Sequence, residues 1–235
     1  MNFFYHPDLE AGTDRFVFSP EESRHIVKVL RRNPGDVLDI TNGRGMRFSA
    51  EILEADPRRC AARVRESFRS HPEKFRLHLA VAPTRKPDRY EWFLEKATEI
   101  GVDRITPIRC AHSERDRFSM DRSHRVIQEA MKQSLRTYLP ELESPVTFAE
   151  FLKRDFPGLR FIAHCEPEER TELKRLVAPD KDILILIGPE GDFSPEEIRD
   201  ARASGFRPVS LGPSRLRTET AAVVACTTVN LINRA

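Results

Sequence analysis

Residues 187–194, with the sequence Ile-Gly-Pro-Glu-Gly-Asp-Phe-Ser, join an apolar segment to a helix start at Ser194. Loops that follow parallel strands are where open α/β sheets bind ligands. Glycine lets main-chain amides approach a ligand closely, because it has no side chain. The chain contains neither GxGxxG nor GxxxxGK[ST], which disfavours dinucleotide-binding and P-loop sites. The segment therefore predicts a different ligand-binding loop, and the alternative is a tight turn from strand to helix.

A second loop of the same kind spans residues 211–221, Leu-Gly-Pro-Ser-Arg-Leu-Arg-Thr-Glu-Thr-Ala. Thr218 could cap the following helix, and Glu219 would lie near the positive end of the helix dipole. Helix capping alone would explain those two residues. It does not explain Arg215 and Arg217, because two guanidinium groups at the positive end of a helix favour an anionic partner.

Two predicted helices each carry a stripe of polar residues at helical spacing. The stripes are Arg89, Trp92, Lys96 and Glu99 in the first helix and Arg125, Glu129, Gln133 and Arg136 in the second. We interpret both stripes as solvated faces, in which a Lys96–Glu99 pair would contribute about 0.3 kcal/mol. Trp92 is the only tryptophan of the chain, and its place on a polar stripe indicates an interface.

Other catalytic patterns are absent from the sequence. His25, His112 and His164 are isolated, and no HxxxH or HExxH spacing occurs, so we expect no bound metal. No GxSxG motif is present, which disfavours an α/β-hydrolase. The four cysteines are widely spaced without a CxxC pair, so we expect free thiols in a reducing cytoplasm.

The elements that must position these loops fall into two predicted domains. Residues 1–71 indicate a small β-barrel with one helix, which begins at Ser19-Pro20-Glu21-Glu22 and runs through Arg31 and Arg32. Residues 74–235 alternate between strands and helices, which is typical of an α/β domain with a largely parallel sheet. The predicted strands are 37–40, 46–52, 60–64, 75–82, 105–108, 160–164, 182–187 and 206–211. The predicted helices of the second domain are 88–100, 122–138, from about 168, from 195, and 218–232.

Composition limits the classes of protein to which the chain can belong. Hydrophobic residues make up 39% of the 235 residues, which supplies a core and excludes general disorder. No apolar run approaches the roughly 18 residues that span a bilayer, and no signal peptide is evident, so we expect a cytoplasmic protein without a membrane partner. The net charge of +2 does not identify a nucleic-acid binder. Arginine supplies 31 of the 39 cations and suits phosphate, although genomic base composition would give the same excess.

The two loops resemble those of the RsmE family of SPOUT methyltransferases. The matching blocks are Gly188-Pro189-Glu190-Gly191, Leu211-Gly212, residues 216–221, 86–89, 96–102, 129–134 and the early block 25–31. This resemblance covers almost the whole chain, and its strongest signal is Arg-Thr-Glu-Thr-Ala at 217–221. It implies an enzyme that uses S-adenosylmethionine to methylate N3 of a uridine in 16S ribosomal RNA of the small ribosomal subunit. Two positions depart from the family, since Asp192 replaces a common glycine and Ile100 a more usual leucine.

The resemblance also implies a fold and a set of site residues. It implies a C-terminal α/β domain with a trefoil knot, an N-terminal PUA-like β-barrel that binds RNA, and a homodimer with the site near the subunit interface. The residues expected to line the cofactor pocket are Ile187, Gly188, Pro189, Glu190, Gly191, Leu211, Gly212, Leu216 and Arg217. Those expected to contact RNA are Arg24, Lys28, Arg31, Arg32, Lys86 and Arg89.

For catalysis we expect Arg217 to stabilise negative charge and either Glu190 or Glu219 to act as the base. Asp192 is expected to narrow its loop or to add a hydrogen bond to the cofactor. Three other functions stay open. The chain could methylate another RNA position such as a ribose 2′-hydroxyl, act as a non-catalytic RNA-binding ribosome assembly factor, or be a small-molecule α/β enzyme. The intact glycine and arginine loops argue against the non-catalytic alternative.

Overall fold

The computed structural model describes residues 2–114, 118–166 and 170–234. These residues form two units, each built around its own sheet. Unit 1 comprises Met1–Pro72 and Gln128–Leu139, and unit 2 comprises Glu73–Ile127 and Pro140–Ala235. As functional domains, 1–71 and 74–235 stay a prediction.

The segment Gln128–Leu139 belongs to unit 1, although the sequence boundaries put it in the second domain. Main-chain hydrogen bonds from Phe3 N to Lys132 O and from Gly45 N to Thr137 O hold it there, each 2.8–3.0 Å long. The Lys132 ammonium also pairs with the buried carboxylate of Glu22 at 2.8 Å. These bonds join residues that are far apart in the chain, so no local sequence pattern predicts them.

A five-stranded sheet forms most of unit 1. Its strands are β1 (Phe4–Tyr5), β2 (Arg15–Val17), β3 (Val37–Thr41), β4 (Met46–Glu54) and β5 (Ala61–Arg69), in the order β1-β3-β4-β5-β2. Alternate residues of β4, namely Phe48, Ala50 and Ile52, are fully buried, as the two-residue period of a strand requires. The imidazole of His6 donates from Nε2 to Val17 O (3.2 Å) and so joins the two edges of the sheet.

The helix of unit 1 begins as predicted and ends early. α1 (Pro20–Arg24) starts at Ser19, whose hydroxyl accepts from Glu22 N. It continues as one π-helical turn, His25–Val29, which closes with Leu30 N donating to His25 O (3.0 Å). The expectation that the helix runs through Arg31 and Arg32 is wrong, because Arg31 adopts the left-handed conformation (φ 53°) that terminates helices.

Unit 2 contains a parallel sheet, which confirms the predicted α/β fold. Its strands are β6 (Leu77–Val81), β7 (Arg104–Arg109), β8 (Glu141–Leu142), β9 (Val146–Thr147), β10 (Leu159–Ala163), β11 (Thr171–Glu172), β12 (Ile183–Ile187) and β13 (Arg207–Ser210). The order is β11-β13-β10-β12-β6-β7-β8, with β9 beside β7, and every described pair is parallel. Every residue of the central strands β6 and β12 is buried, as expected of parallel strands that are covered on both faces. The trefoil knot stays a prediction.

The remaining helices are α2 (Pro87–Ile100), α3 (Met120–Gln133), α4 (Phe148–Leu152), α5 (Pro195–Ala203) and α6 (Thr218–Asn233). α2 buries Tyr90, Phe93, Leu94 and Ala97 on one face. The start of the helix expected from about residue 168 lies outside the described residues. The described residues after it form β11 and a 3₁₀ turn at Leu173–Arg175, so the expected helix is wrong there. No helix in the described ranges is long and apolar enough to cross a lipid bilayer.

Candidate active site

Loops from five neighbouring strands meet at one edge of the parallel sheet of unit 2. The strands β13, β10, β12, β6 and β7 are adjacent in that order and parallel, so their carboxyl ends share this edge. Open α/β sheets bind ligands at this edge. The two loops singled out in the sequence follow β12 and β13, and the structure brings them together.

The loop after β12 has little room for side chains at its glycines. A Cβ at Gly188 would lie 3.0 Å from Phe193 Cδ2, and one at Gly191 would lie 3.0 Å from His112 Cβ. Contacts this short are tighter than most that real Cβ atoms make, so the neighbouring side chain would have to move by a few tenths of an ångström. The loop therefore presents main chain where other residues would present side chains, and this suits a ligand that is held by backbone amides and carbonyls.

The hydroxyl of Thr218 ties the two loops together. Thr218 Oγ1 donates to Gly188 O at 3.0 Å, and Thr218 is buried. The expected helix-capping role of Thr218 is wrong, because Arg217 occupies the cap position of α6 and makes no side-chain cap bond within the described residues. The threonine is instead the first helical residue, and its side chain fixes the loop after β12 against the start of α6.

Glu190 connects the same loop to a third one. Its Oε1 accepts a hydrogen bond of 2.9 Å from the main-chain N–H of Arg85, in the loop after β6. The carboxylate is only partly buried. Glu190 therefore remains accessible to a substrate while its position is fixed.

Glu219 lies in the first turn of α6 and faces Arg89 of α2. Arg89 Nε and Glu219 Oε1 are 3.7 Å apart, and the side chains are 32% and 8% exposed respectively. Glu219 Oε2 is buried and has no hydrogen-bond partner within the described residues. Arg89, predicted to contact RNA, thus neutralises one of the two candidate bases.

Asp192 takes the place of a glycine in backbone conformation as well as in sequence. Its φ of 64° lies in the left-handed region, which aspartate tolerates better than most residues. Its carboxylate accepts hydrogen bonds from Cys165 N (2.6 Å) and Phe193 N (2.8 Å). The side chain therefore braces the loops after β10 and β12 through the main chain.

His112, which the sequence showed only as an isolated histidine, also braces the site. Its Nδ1 lies 3.1 Å from both Gly191 O and Asp192 O. Because carbonyl oxygens only accept hydrogen bonds, Nδ1 carries the proton. Nearby, Ala111 N donates to Glu197 Oε1 (2.8 Å), while Glu197 also forms a capping box with Ser194 at the predicted start of α5. Only the position of His112 just after the strand β7 could have indicated this role.

The loop after β13 is more open. Gly212 has a φ of 126°, which is accessible to glycine, and its N–H donates to Ser210 Oγ. Leu211 and Leu216 are half-buried. The side chain of Arg217 is exposed and makes no ion pair with the described residues, so its charge is available to a ligand.

Two regions of the chain match known protein families. Residues 71–230 match the family described as RNA methyltransferase domain, and residues 18–65 match the RNA methyltransferase PUA domain. The chain belongs to the RNA methyltransferase family. The second match confirms that this RNA methyltransferase has a PUA-like N-terminal region.

Relatives resemble this RNA methyltransferase over nearly its whole length. The ribosomal RNA small subunit methyltransferase E of Rickettsia conorii is 31% identical over 225 residues, covering 94% of this chain and 92% of the relative. A probable rRNA-methyltransferase from Porphyromonas gingivalis is 41% identical with a TM-score of 0.91, covering 100% and 99% of the two chains. A ribosomal RNA small subunit methyltransferase E from Neisseria gonorrhoeae, bound to S-adenosyl methionine, has a TM-score of 0.89 at 25% identity, covering 99% and 98%. The resemblance to the RsmE family is confirmed.

The residues predicted to bind RNA occupy different settings in this RNA methyltransferase. Arg24, Lys28, Arg31 and Arg32 are all exposed in unit 1, within or next to a segment, 28–35, in which every residue is exposed. Arg32 lies 4.0 Å from Asp36. In unit 2, Lys86 is exposed at the start of α2. Within the described residues, no group of three or more His, Cys, Asp or Glu side chains could hold a metal ion.

Proposed function

We propose that this RNA methyltransferase transfers a methyl group from S-adenosylmethionine to N3 of a uridine in 16S ribosomal RNA. Membership of the family and the names of its relatives support the reaction class and the RNA. The observation that carries the proposal is the pair of loops after β12 and β13, joined by the Thr218–Gly188 bond. Their glycine main chain at the carboxyl edge of the sheet suits the cofactor that the Neisseria neighbour binds.

The cofactor would be held by residues of these two loops. They are Ile187, Gly188, Pro189, Glu190, Gly191, Leu211, Gly212, Leu216 and Arg217. When bound there, S-adenosylmethionine supplies an electrophilic methyl group. Phe193 and His112 pack closely against these glycines, so we expect the loop to need little ordering on binding.

The target nitrogen needs help from charged side chains. Uracil N3 carries a proton and lies between two carbonyl groups, so it becomes a nucleophile only when that proton leaves. The negative charge then spreads onto O2 and O4. Arg217, exposed and free of ion pairs with the described residues, is our choice to stabilise it.

Of the two candidate bases, the geometry favours Glu190. Its carboxylate is partly exposed and fixed by Arg85 N, so it can accept the N3 proton from a bound base. Glu219 is enclosed and already faces the Arg89 guanidinium. We assign Glu219 a positioning role at the start of α6.

The exposed cations of unit 1 would hold the RNA by its phosphates. Arg24, Lys28, Arg31 and Arg32 suit this role because each presents its charge to solvent. Lys86 would contribute in the same way from unit 2. Binding should therefore weaken steeply with salt, by a slope of about one per phosphate contact on a double-logarithmic plot.

We further propose that the enzyme is a homodimer that acts in the cytoplasm, where ribosomal RNA is found. The support for a dimer is an apolar stripe on α6, in which Leu231 is 67% exposed and Val224 half-buried. On the neighbouring α2, Trp92 is 42% exposed. Light scattering on a Leu231→Glu variant tests this, and an unchanged mass would exclude α6 as the interface.

Transfer of labelled methyl groups to unmodified 30S subunits and to bare 16S RNA tests the activity. Nucleoside mass spectrometry should find 3-methyluridine at one site. Label in another base or in a ribose would refute the N3 assignment but keep the methyltransferase. Absence of both label and cofactor binding would favour a non-catalytic RNA-binding factor.

Arg217→Ala tests the assigned charge stabiliser, with Arg215→Ala as the matched control two residues away. We expect Arg217→Ala to lower kcat about 100-fold and to weaken S-adenosylmethionine binding far less than that. The control should retain most of its activity. An equal loss of kcat and cofactor affinity would make Arg217 a binding residue.

A further inference from the structure

A cavity of about 510 Å³ lies within unit 1, and none of its lining residues belongs to the cofactor loops. Its walls come from residues 5–8, 17–25 and 128–132. Residues of two blocks that carry the family resemblance, 25–31 and 129–134, line these walls. The proposed cofactor binding and catalysis use neither block. The cavity is large enough for a nucleobase.

The cavity wall contains two hydrogen-bond acceptors that lack donors. Glu22 has a side chain only 8% exposed, and its Oε1 accepts from Lys132 Nζ (2.8 Å). Its Oε2 is buried without a partner in the described part of the chain. In His6, Nε2 donates to Val17 O, so in the neutral imidazole Nδ1 is an acceptor, and this atom is likewise buried and unpartnered there.

Negative charge dominates the cavity. The lining carboxylates are Asp8, Glu21, Glu22 and Glu129. The lining cation, Lys132, already donates to Glu22 and Glu129 at 2.8 and 2.9 Å. Burial would lower the pKa of Lys132, but the hydrogen bonds to Glu22 and Glu129 outweigh the effect of burial and raise the pKa. The lysine therefore stays charged and paired with these two carboxylates. A ligand for this cavity must therefore bring N–H donors of its own.

The surroundings point to RNA as the source of those donors. His25 lines the cavity, and Arg24 and Lys28 on the same helix are exposed cations suited to phosphates. Proteins read single-stranded RNA by splaying out bases and hydrogen-bonding their Watson–Crick edges. Guanine presents N1–H and N2–H side by side, a match for a carboxylate, whereas uracil presents one N–H between two carbonyl oxygens.

We propose that this cavity binds a guanine base of the substrate RNA, separate from the uridine that is methylated. The inference rests on the proposed action on RNA. It makes Glu22 a specificity determinant, which the enzyme would use to select the sequence around its target.

The test compares three labelled single-stranded RNAs on the full-length protein without cofactor. They are a uridine heptamer, the same strand with a central guanosine, and one with a central inosine, which lacks only the 2-amino group. We expect guanosine to bind about tenfold more tightly than inosine, and uridine to bind most weakly. Glu22→Gln should abolish the preference, while Glu10→Gln, an exposed acid that pairs with Arg44, should keep it.

A second variant guards against misfolding of Glu22→Gln. Gln128→Lys leaves the Glu22–Lys132 pair intact and places a cation at the cavity wall. It should raise the affinity for all three RNAs and lower the guanosine-to-inosine ratio. A wild-type ratio within twofold of one would overturn the proposal, as would equal competition by spermidine against all three strands. This binding test involves no methyl transfer. A protein that transfers no methyl group but keeps the guanosine-to-inosine ratio would therefore refute only the proposed reaction.

Discussion

Replacing Arg89 by methionine should destabilise unit 2, because the buried carboxylate of Glu219 then loses its counter-ion. Removing one partner of a fully buried pair costs about 3–5 kcal/mol. Here Arg89 is one-third exposed and its Nε lies 3.7 Å from Glu219 Oε1, beyond hydrogen-bond distance. Solvent screening therefore reduces the expected cost to about 1–2 kcal/mol. In a chain of this size that lowers Tm by roughly 2–8 °C.

A double-mutant cycle separates the charge effect from packing. Glu219→Gln removes the charge, so the double variant Arg89→Met/Glu219→Gln should recover most of the lost stability. Differential scanning calorimetry measures the four proteins, and Lys86→Met, an exposed cation on the same helix start, is the control. The reasoning fails if Arg89→Met has the same Tm as the Lys86→Met control. It also fails if the effects of Arg89→Met and Glu219→Gln on stability are additive, because the pair then has no interaction energy.

Three further outcomes follow from the geometry of unit 2. Asp192→Gly relieves the strain of the left-handed backbone but removes the hydrogen bonds from Cys165 N and Phe193 N. Urea denaturation should therefore show a free energy of unfolding that is lower by about 1 kcal/mol, and Asp192→Asn should lower it less. Gly188→Ala drives a Cβ into the Phe193 ring and should cost about 1–3 kcal/mol, with weaker S-adenosylmethionine binding by calorimetry; unchanged values would mean that the ring moves freely. Burial lowers the pKa of His78 to about 4 in the folded protein. As pH falls from about 6.5 to 4, His78 therefore takes up a proton in the unfolded chain but not in the folded one, and this favours unfolding. About 3 kcal/mol of stability should be lost across that window, and His78→Gln should flatten the profile.

Features that depend on neighbouring residues in the chain were predictable. The unbroken apolar run gave the buried strand β12, and Ser194 with Glu197 gave the start of α5, because both signals are local. The short strands β8, β9 and β11 have two residues each, too few to show a period. The π-helical turn after α1 closes with an i→i−5 bond from Leu30 N to His25 O, which sequence spacing does not encode.

The glycine and arginine loops were also predictable, but the bonds that assemble them were not. Thr218 reaches Gly188 and His112 reaches Gly191 across long stretches of chain. Their meeting depends on the strand order of the sheet, which composition and periodicity leave undetermined. For the same reason Arg89 was predicted to contact RNA, while the structure pairs it with Glu219.

Synthesis on the ribosome runs from the N-terminus, so the segment Gln128–Leu139 emerges long after the five strands of unit 1. Until then the carboxylate of Glu22 has no Lys132 to neutralise it, and Gly45 N has no Thr137 carbonyl. We therefore expect the nascent N-terminal region to stay incompletely folded while the first part of unit 2 is translated. A fragment that stops at Pro72 would stay in that unfinished state, with the Glu22 carboxylate lacking its Lys132 partner.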